Sequence, residues 1–95
     1  MGILEDDLSE DWFMLNQEQS RIFERELSKE LCVEHELAGK ELKAIASFKP
    51  NDDILFQEVD GEALYIVHLT WQIEETKNFP RFQRFENKVA FTNFA

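Results

Sequence analysis

The chain has 95 residues, 43% of them hydrophobic and nine of them Phe, which suits one packed domain and excludes a disordered chain. Its formal net charge of −10 counts against binding to nucleic acid or to an anionic membrane. It contains no apolar stretch of about 18 residues that could span a bilayer, and residues 1–7 lack the basic start and apolar run of a signal peptide. Since the single cysteine, Cys32, cannot form an internal disulfide, we expect a cytoplasmic protein.

The negative charge is concentrated in the first third of the chain. Residues 1–36 contain eleven acids and three bases, whereas residues 37–95 contain nine acids and seven bases. Such a field attracts positively charged molecules at long range, which favours a basic protein partner. The simpler interpretation is that the charge keeps a small protein soluble.

An amphipathic helix is the first strong secondary-structure signal. Residues 1–11 are polar and acidic, and we expect a frayed tail or a short first helix there. Asn16 and Gln19 form a capping-box pattern at the start of good helix formers that continue to about Glu34. This pattern predicts a long N-terminal helix over residues 17–34, followed by Gly39 as a stop. A row spaced by about four residues gives the helix one apolar side: Trp12, Leu15, Gln19, Phe23, Leu27 and Leu31.

The middle of the chain predicts strands. Residues 40–49 fit a strand or a helix, and we favour a strand because apolar residues alternate there: Leu42, Ala44, Ala46 and Phe48. A turn follows at residues 50–53, which combine Pro with Asn and Asp. Two apolar runs, 54–59 and 62–72, then flank the Asp60–Gly61 pair, a strong hairpin signal. Because both faces of the second run are largely apolar, we expect it to be a central strand.

The last 17 residues hold five of the nine Phe. Phe79-Pro80 breaks any helix, residues 81–86 suit a further strand, and residues 88–94 suit a short closing helix. The whole pattern predicts a single α+β domain over residues 1–95. In it, a long N-terminal amphipathic helix packs on one face of a three- to four-stranded antiparallel meander, and a short C-terminal helix follows.

Three sequence blocks stand out between residues 31 and 82. They read Gly39-Lys-Glu-Leu-Lys-Ala-Ile-Ala46, Asn51-Asp-Asp-Ile-Leu-Phe56 and Val67-His-Leu-Thr-Trp71, and Pro80 follows them. Their order resembles that of a family of small, uncharacterised bacterial cytoplasmic proteins. The resemblance implies a bacterial source and a compact α+β fold, and it implies no activity, cofactor or catalytic residue.

His68 is the side chain best suited to chemistry. Asp52 or Asp53 could orient its imidazole as a carboxylate orients a general base. Trp71 follows three residues later and, in a strand, points to the opposite face. Because no serine or cysteine lies in a nucleophile motif, we lean towards a protein that is not an enzyme. The simpler interpretation of His68 is a histidine that is hydrogen-bonded within the sheet.

Cys32 and His35 are weak candidates for metal ligands. Their spacing puts both on one side of a helix, and with His68 and Asp52 or Asp53 they offer the donor types of a zinc site. Structural zinc sites usually take two closely spaced Cys or His residues from each half of the ligand set. Here Cys32 and His35 are the one closely spaced set, and His68 has no such neighbour. We therefore predict no metal and no other cofactor.

Aromatic and arginine side chains interleave near the C-terminus at Phe79, Arg81, Phe82 and Arg84. This composition is typical of hot spots in protein interfaces and also of surfaces on which single-stranded nucleic acid stacks. The negative net charge of the chain counts against nucleic acid. The simpler interpretation is that these Phe residues fill the core.

Together these observations predict a non-enzymatic, acidic protein-binding domain. One form of it is an antitoxin-like or immunity-like inhibitor that covers a basic partner. The alternative is a small-molecule binder or modest enzyme with a pocket around His68 and Trp71. A homodimer through sheet edges or through the Phe-rich end is compatible with either.

Overall fold

The computed structural model describes residues 8, 10–31, 34–50, 53–70 and 80–94. Across these ranges a five-stranded antiparallel sheet packs against two helices, which confirms the α+β class. The elements are β1 (Trp12–Met14), α1 (Gln17–Glu30), β2 (Leu42–Phe48), β3 (Asp53–Glu58), β4 (Leu64–His68), β5 (Arg81–Phe85) and α2 (Lys88–Phe94). Strand order in the sheet follows chain order, so β1 and β5 form the two edges.

Helix α1 begins as predicted but ends earlier. The side chain of Asn16 accepts from the Gln19 amide at 2.8 Å, and the Gln19 side chain accepts from the Asn16 amide at 3.0 Å. The helix stops at Glu30, because Leu31 has an extended backbone with φ −82° and ψ 120°. The chain then turns to bury Leu37 completely. Gly39 does adopt a left-handed conformation, at φ +84°, but it lies in this later turn and not at the helix end.

Strand β1 is a correction to the prediction of a helix that opens the chain. Trp12 was placed on the apolar row of that helix, and instead it pairs with Phe48 across the sheet. Its ring packs against the rings of Phe48 and Phe91, at centroid distances of 4.9 and 5.8 Å. The capping box at Asn16 starts the helix after Trp12, and aromatic side chains favour a strand. The sheet therefore has five strands, and not three or four.

A β-bulge at Ile45 changes which face the side chains of β2 occupy. Ala44 lies opposite Phe56 but Ala46 lies opposite Leu55, so Ile45 is an extra residue. As a result the first half of β2 faces the core under α1 and the second half faces the core under α2. Simple alternation had predicted one common face for the apolar residues of this strand.

Helix α1 holds the bulge through the backbone of Ala44. The Ser20 hydroxyl donates to the Ala44 carbonyl at 2.7 Å. The Ala44 amide donates to a Glu24 carboxylate oxygen at 3.0 Å. Strand β1 pairs only with residues 46–48 of β2. The side chains of Ser20 and Glu24 bond the part of β2 that β1 does not reach. We refer to this set of contacts among Ser20, Glu24 and Ala44 as the α1 clasp.

The β3–β4 hairpin reverses where it was predicted, but through a wider loop. The Glu58 amide donates to the Ala63 carbonyl at 3.0 Å, which leaves residues 59–62 as the connection. Gly61 has no positive φ, so this is not a tight two-residue Asp-Gly turn. Strand β4 ends at His68, short of the predicted residue 72, because the Thr70 amide donates to Glu30 of α1 and leaves the ladder.

Both faces of the sheet carry a buried core, whereas only one had been predicted. The α1-side core consists of Leu27, Leu37, Ala44, Ile54, Phe56, Ala63, Tyr65, Val67 and Leu69. The α2-side core consists of Trp12, Ile45, Ala46, Leu55, Leu64, Phe85 and Phe91. The predicted last strand and closing helix are confirmed as β5 and α2. No helix in the described part of the chain is long and apolar enough to cross a membrane.

Phe91 is fully buried at the centre of the α2-side core, so replacing it tests that core. We expect Phe91→Ala to lower the free energy of unfolding by about 3 kcal/mol, because it removes a packed ring and leaves a cavity. Urea denaturation measures this change. Val89→Ala, at a position of the same helix that is 65% exposed, is the matched control and should cost less than about 0.5 kcal/mol. Similar, small losses for both variants would contradict a stabilising second core.

Candidate functional site

An exposed polar row crosses the sheet where β3 and β5 begin and β4 ends. The strand register brings Asp53, His68 and Arg81 side by side on the face under α2. Three of the residues predicted for binding are therefore neighbours, although they are up to 28 positions apart in the chain. Three others, Asp52, Trp71 and Phe79, lie outside the described residues.

His68 and Asp53 form a hydrogen-bonded pair. Nδ1 of His68 lies 2.7 Å from Oδ1 of Asp53. The His68 side chain is 61% exposed, whereas that of Asp53 is 19% exposed. The carboxylate fixes the orientation of the ring, and Nε2 has no hydrogen-bond partner among the described residues. This arrangement is the one that a base and its orienting carboxylate require, and it also suits a donor to a bound anion.

The strand register gives the described side chains that surround the pair. The two rows of side chains at this end are Trp12, Phe48, Asp53, His68 and Arg81, and then Met14, Ala46, Leu55, Ile66 and Gln83. They include no hydroxyl, thiol or amine that the imidazole could activate. A hollow of about 290 Å³ is found at the opposite end of the sheet, lined by Gly39, Lys40, Glu41, Glu58 and Asp60. It is separate from His68.

The aromatic and arginine run is divided between the two faces of β5. Phe82 is half-buried, and its ring packs against those of His35 and Tyr65 at 5.5 and 6.0 Å. Phe82 therefore fills the core, as the simpler interpretation had it. Arg81 and Arg84 are both exposed, Arg81 on the face under α2 and Arg84 on the face under α1.

Hydrogen-bond alternation shows which backbone groups of β5 face outwards. The Ala63 carbonyl accepts from the Glu58 amide, so Ala63 directs its backbone groups to β3. Backbone groups alternate in direction along a strand, so every second residue after Ala63 also faces β3, and the residues between them face β5. Gln83 pairs with Ile66, which is one of the residues that face β5, so Gln83 directs its own backbone groups to β4. Its neighbours Phe82 and Arg84 therefore direct their N–H and C=O groups to the outer edge of the sheet.

His35 is a buried structural histidine, with 4% of its surface exposed. Its Nδ1 accepts from the Leu37 amide at 3.0 Å, so the ring proton sits on Nε2, which donates to the Pro80 carbonyl at 2.8 Å. Both nitrogens are thus used to attach the loop after α1 to the start of β5. Cys32 lies outside the described residues. The described ranges contain no group of three metal-binding side chains.

The acidic residues of α1 are largely turned towards the sheet. Glu24 belongs to the α1 clasp, and the fully buried Glu30 accepts from the amide and hydroxyl of Thr70 at 2.6 and 2.9 Å. The outward positions of this helix carry one exposed acid, Glu18, against three exposed cations, Arg21, Arg25 and Lys29. The acidic surface expected in the first third of the chain is therefore not supplied by the outer face of α1.

Glu26 and Glu30 lie one helical turn apart, and their side chains are hydrogen-bonded. A hydrogen bond to Glu30 is the largest cause that raises the pKa of Glu26 from 4.5 to about 7, and desolvation and the negative charge of Glu30 add to it. Lys29 opposes the rise. Sequence reasoning missed this pair, whose only signal is two glutamates spaced by four on a helix.

Comparison of the chain with protein-family models, curated proteins and solved structures finds no match to any of them. The resemblance of the three sequence blocks to a bacterial family therefore stays a prediction.

The Glu26–Glu30 pair predicts a pH dependence of stability. Because the folded state raises the pKa of Glu26 above its ordinary value, the pair stabilises the fold at pH 4.5 and loses this contribution as the pH rises to about 7. Glu26→Gln keeps a neutral donor to Glu30 at every pH. We expect the stability of this variant relative to the wild type to rise by about 1 kcal/mol over that interval, since solvent screens a half-exposed carboxyl.

Urea denaturation at a series of pH values measures this difference, and the exposed Glu34→Gln is the matched control. A difference between Glu26→Gln and the wild type that stays constant across the interval would contradict the raised pKa of Glu26.

Proposed function

We propose that the chain is a non-enzymatic protein-binding domain that adds an extended segment of its partner to the outer edge of β5. One observation carries the proposal. Strand β5 pairs only with β4 within the described residues, so Phe82 and Arg84 present backbone donors and acceptors at the edge of the sheet. An open edge of this kind is the template for strand addition, in which main-chain hydrogen bonds supply affinity.

The length of the β5 edge supports this proposal. The opposite edge strand, β1, has only three residues, and next to it the α1 clasp bonds the backbone of Ala44 in β2. On the β5 side, the described residues offer no equivalent cover. Proteins commonly protect exposed sheet edges, so an edge of five residues that no described residue covers is a candidate for binding.

The side chains along β5 fit a selective interface. Arg81 and Arg84 flank the edge on opposite faces, and charged residues on an edge strand suppress indiscriminate pairing. Arginine is also a frequent hot-spot residue. A partner segment added here would lie beside Arg81, which separates it from the exposed imidazole of His68 on β4.

An antitoxin-like or immunity-like inhibitor of a basic partner is one form of this proposal. The net charge of −10 would draw a basic protein to the domain at long range, and strand addition would then fix it in place. The cytoplasm and a bacterial source remain the proposed setting.

A small-molecule site at His68 is the second candidate function. It is favoured by the 2.7 Å bond between Nδ1 of His68 and Asp53, because this bond leaves the other ring nitrogen, Nε2, for a ligand. An imidazole beside an arginine suits a carboxylate or phosphate group. Titration with small carboxylates and inorganic phosphate, followed through the ring signals of His68 by NMR, would test this candidate, and unchanged signals would contradict it.

Arg84→Pro tests the proposed edge. Proline removes the outward N–H of residue 84 but leaves the bonds between β5 and β4, so the fold should survive while strand addition fails. The measurement is a selection of heptapeptides on the immobilised wild type, followed by affinity measurements for each variant. We expect selected peptides to bind Arg84→Pro at least about tenfold more weakly, which corresponds to the loss of one or two edge hydrogen bonds.

Arg84→Ala is the matched control, since it removes the charge and keeps the N–H. Circular dichroism checks that both variants remain folded. Peptides that bind Arg84→Pro as tightly as the wild type would contradict binding at this edge.

A further inference from the structure

We infer that the segment bound at the edge of β5 is the β5 strand of a second copy of this chain. The inference rests on the proposed function, because it names the partner for the same edge. Its basis is the self-complementary sequence of β5, Arg81-Phe-Gln-Arg-Phe85, together with the direction of its backbone groups.

Antiparallel pairing about Gln83 places unlike side chains opposite each other. Phe82 of one copy faces Arg84 of the other on the α1 side, and Arg81 faces Phe85 on the α2 side. Each pair sets the long arginine side chain against the part of an aromatic ring that the core leaves uncovered. Gln83 faces itself, and two side-chain amides can donate to and accept from each other. No two like charges lie directly opposite in this register.

The backbone geometry selects the same register. Phe82 and Arg84 carry the outward N–H and C=O groups. In this register, Phe82 of each copy exchanges two hydrogen bonds with Arg84 of the other copy. A shift by two residues in one direction places Arg84 opposite Arg84, which is repulsive. The equal shift in the other direction places Arg84 opposite Pro80, which has no N–H to donate. The register centred on Gln83 alone avoids both faults.

Exposed apolar surface borders the same edge. Phe94 of α2 is 58% exposed, and its ring packs against that of Phe85 at a centroid distance of 5.0 Å. In the paired register, Arg81 of the second copy lies next to Phe85 and so reaches this surface. The two-fold axis through Gln83 is perpendicular to the sheet, so both α2 helices lie on one face of a continuous ten-stranded sheet.

Salt should distinguish this partner from a basic one. Two copies that each carry a charge of −10 repel at long range, so added salt should strengthen their association by screening. Binding to a basic protein should weaken with salt for the same reason. Sedimentation of the wild type over a range of concentrations and salt should therefore show a monomer that becomes a dimer, with more dimer at higher salt.

A cysteine at the two-fold axis tests the register directly. In a Cys32→Ser background, Gln83→Cys places two thiols opposite each other at a non-hydrogen-bonded pair, which is close enough for a disulfide. Arg81→Cys is the matched control on the same strand and face, because the two copies of that position lie about 14 Å apart. We expect mild oxidation to yield a covalent dimer of Gln83→Cys at least about tenfold faster than of Arg81→Cys, given this distance.

Equal cross-linking of the two variants, or of neither, would overturn the inference, and so would a wild type that stays monomeric at all concentrations and salts. The peptide selection separates this failure from failure of the proposed function. If the protein is monomeric but selected peptides lose affinity for Arg84→Pro, the edge binds another partner. If that loss is also absent, the edge is not a binding surface.

Discussion

The attachment of α1 to Ala44 is the interaction on which the rest of the structure depends. One hydroxyl and one carboxylate of the helix bond the carbonyl and the amide of the same residue, at 2.7 and 3.0 Å. Two buried or half-buried hydrogen bonds of this kind, one of them to a carboxylate, are worth about 2–4 kcal/mol together. They fix α1 against the sheet and hold the bulge at Ile45, which directs the two halves of β2 into different cores.

This clasp also completes the outer side of β2. That side is bonded by β1 and by side chains of α1, so only the three-residue strand β1 forms this edge of the sheet. At the far edge, the five-residue strand β5 is attached through β4 and through the bond from His35 to Pro80, and no described residue bonds its outward groups. The same register sets His68 between Asp53 and Arg81, so the polar row and the open edge meet at one corner.

Local signals allowed much of this fold to be predicted, and long-range contacts account for what was missed. The capping box at Asn16 depends on near neighbours, and it was found in the sequence. The bulge at Ile45 depends on side chains of a helix more than 20 positions earlier, and an alternating pattern hides it. Trp12 was assigned to the helix because the apolar row of α1, spaced by about four residues, continues in the sequence beyond the N-cap at Asn16. His35 was missed as an anchor because its partner carbonyl is 45 residues away.

Amide hydrogen exchange, measured by NMR in a dilute monomeric sample, tests the central claim that the α1 clasp bonds β2 and that the β5 edge is open. We expect the amides of Ala44 and Gln83 to exchange slowly, because each is bonded inside the fold. The amides of Phe82 and Arg84 should exchange orders of magnitude faster, because they face outwards and no described residue bonds them. Protection of Phe82 and Arg84 equal to that of Gln83 in the monomer, or rapid exchange at Ala44, would contradict it.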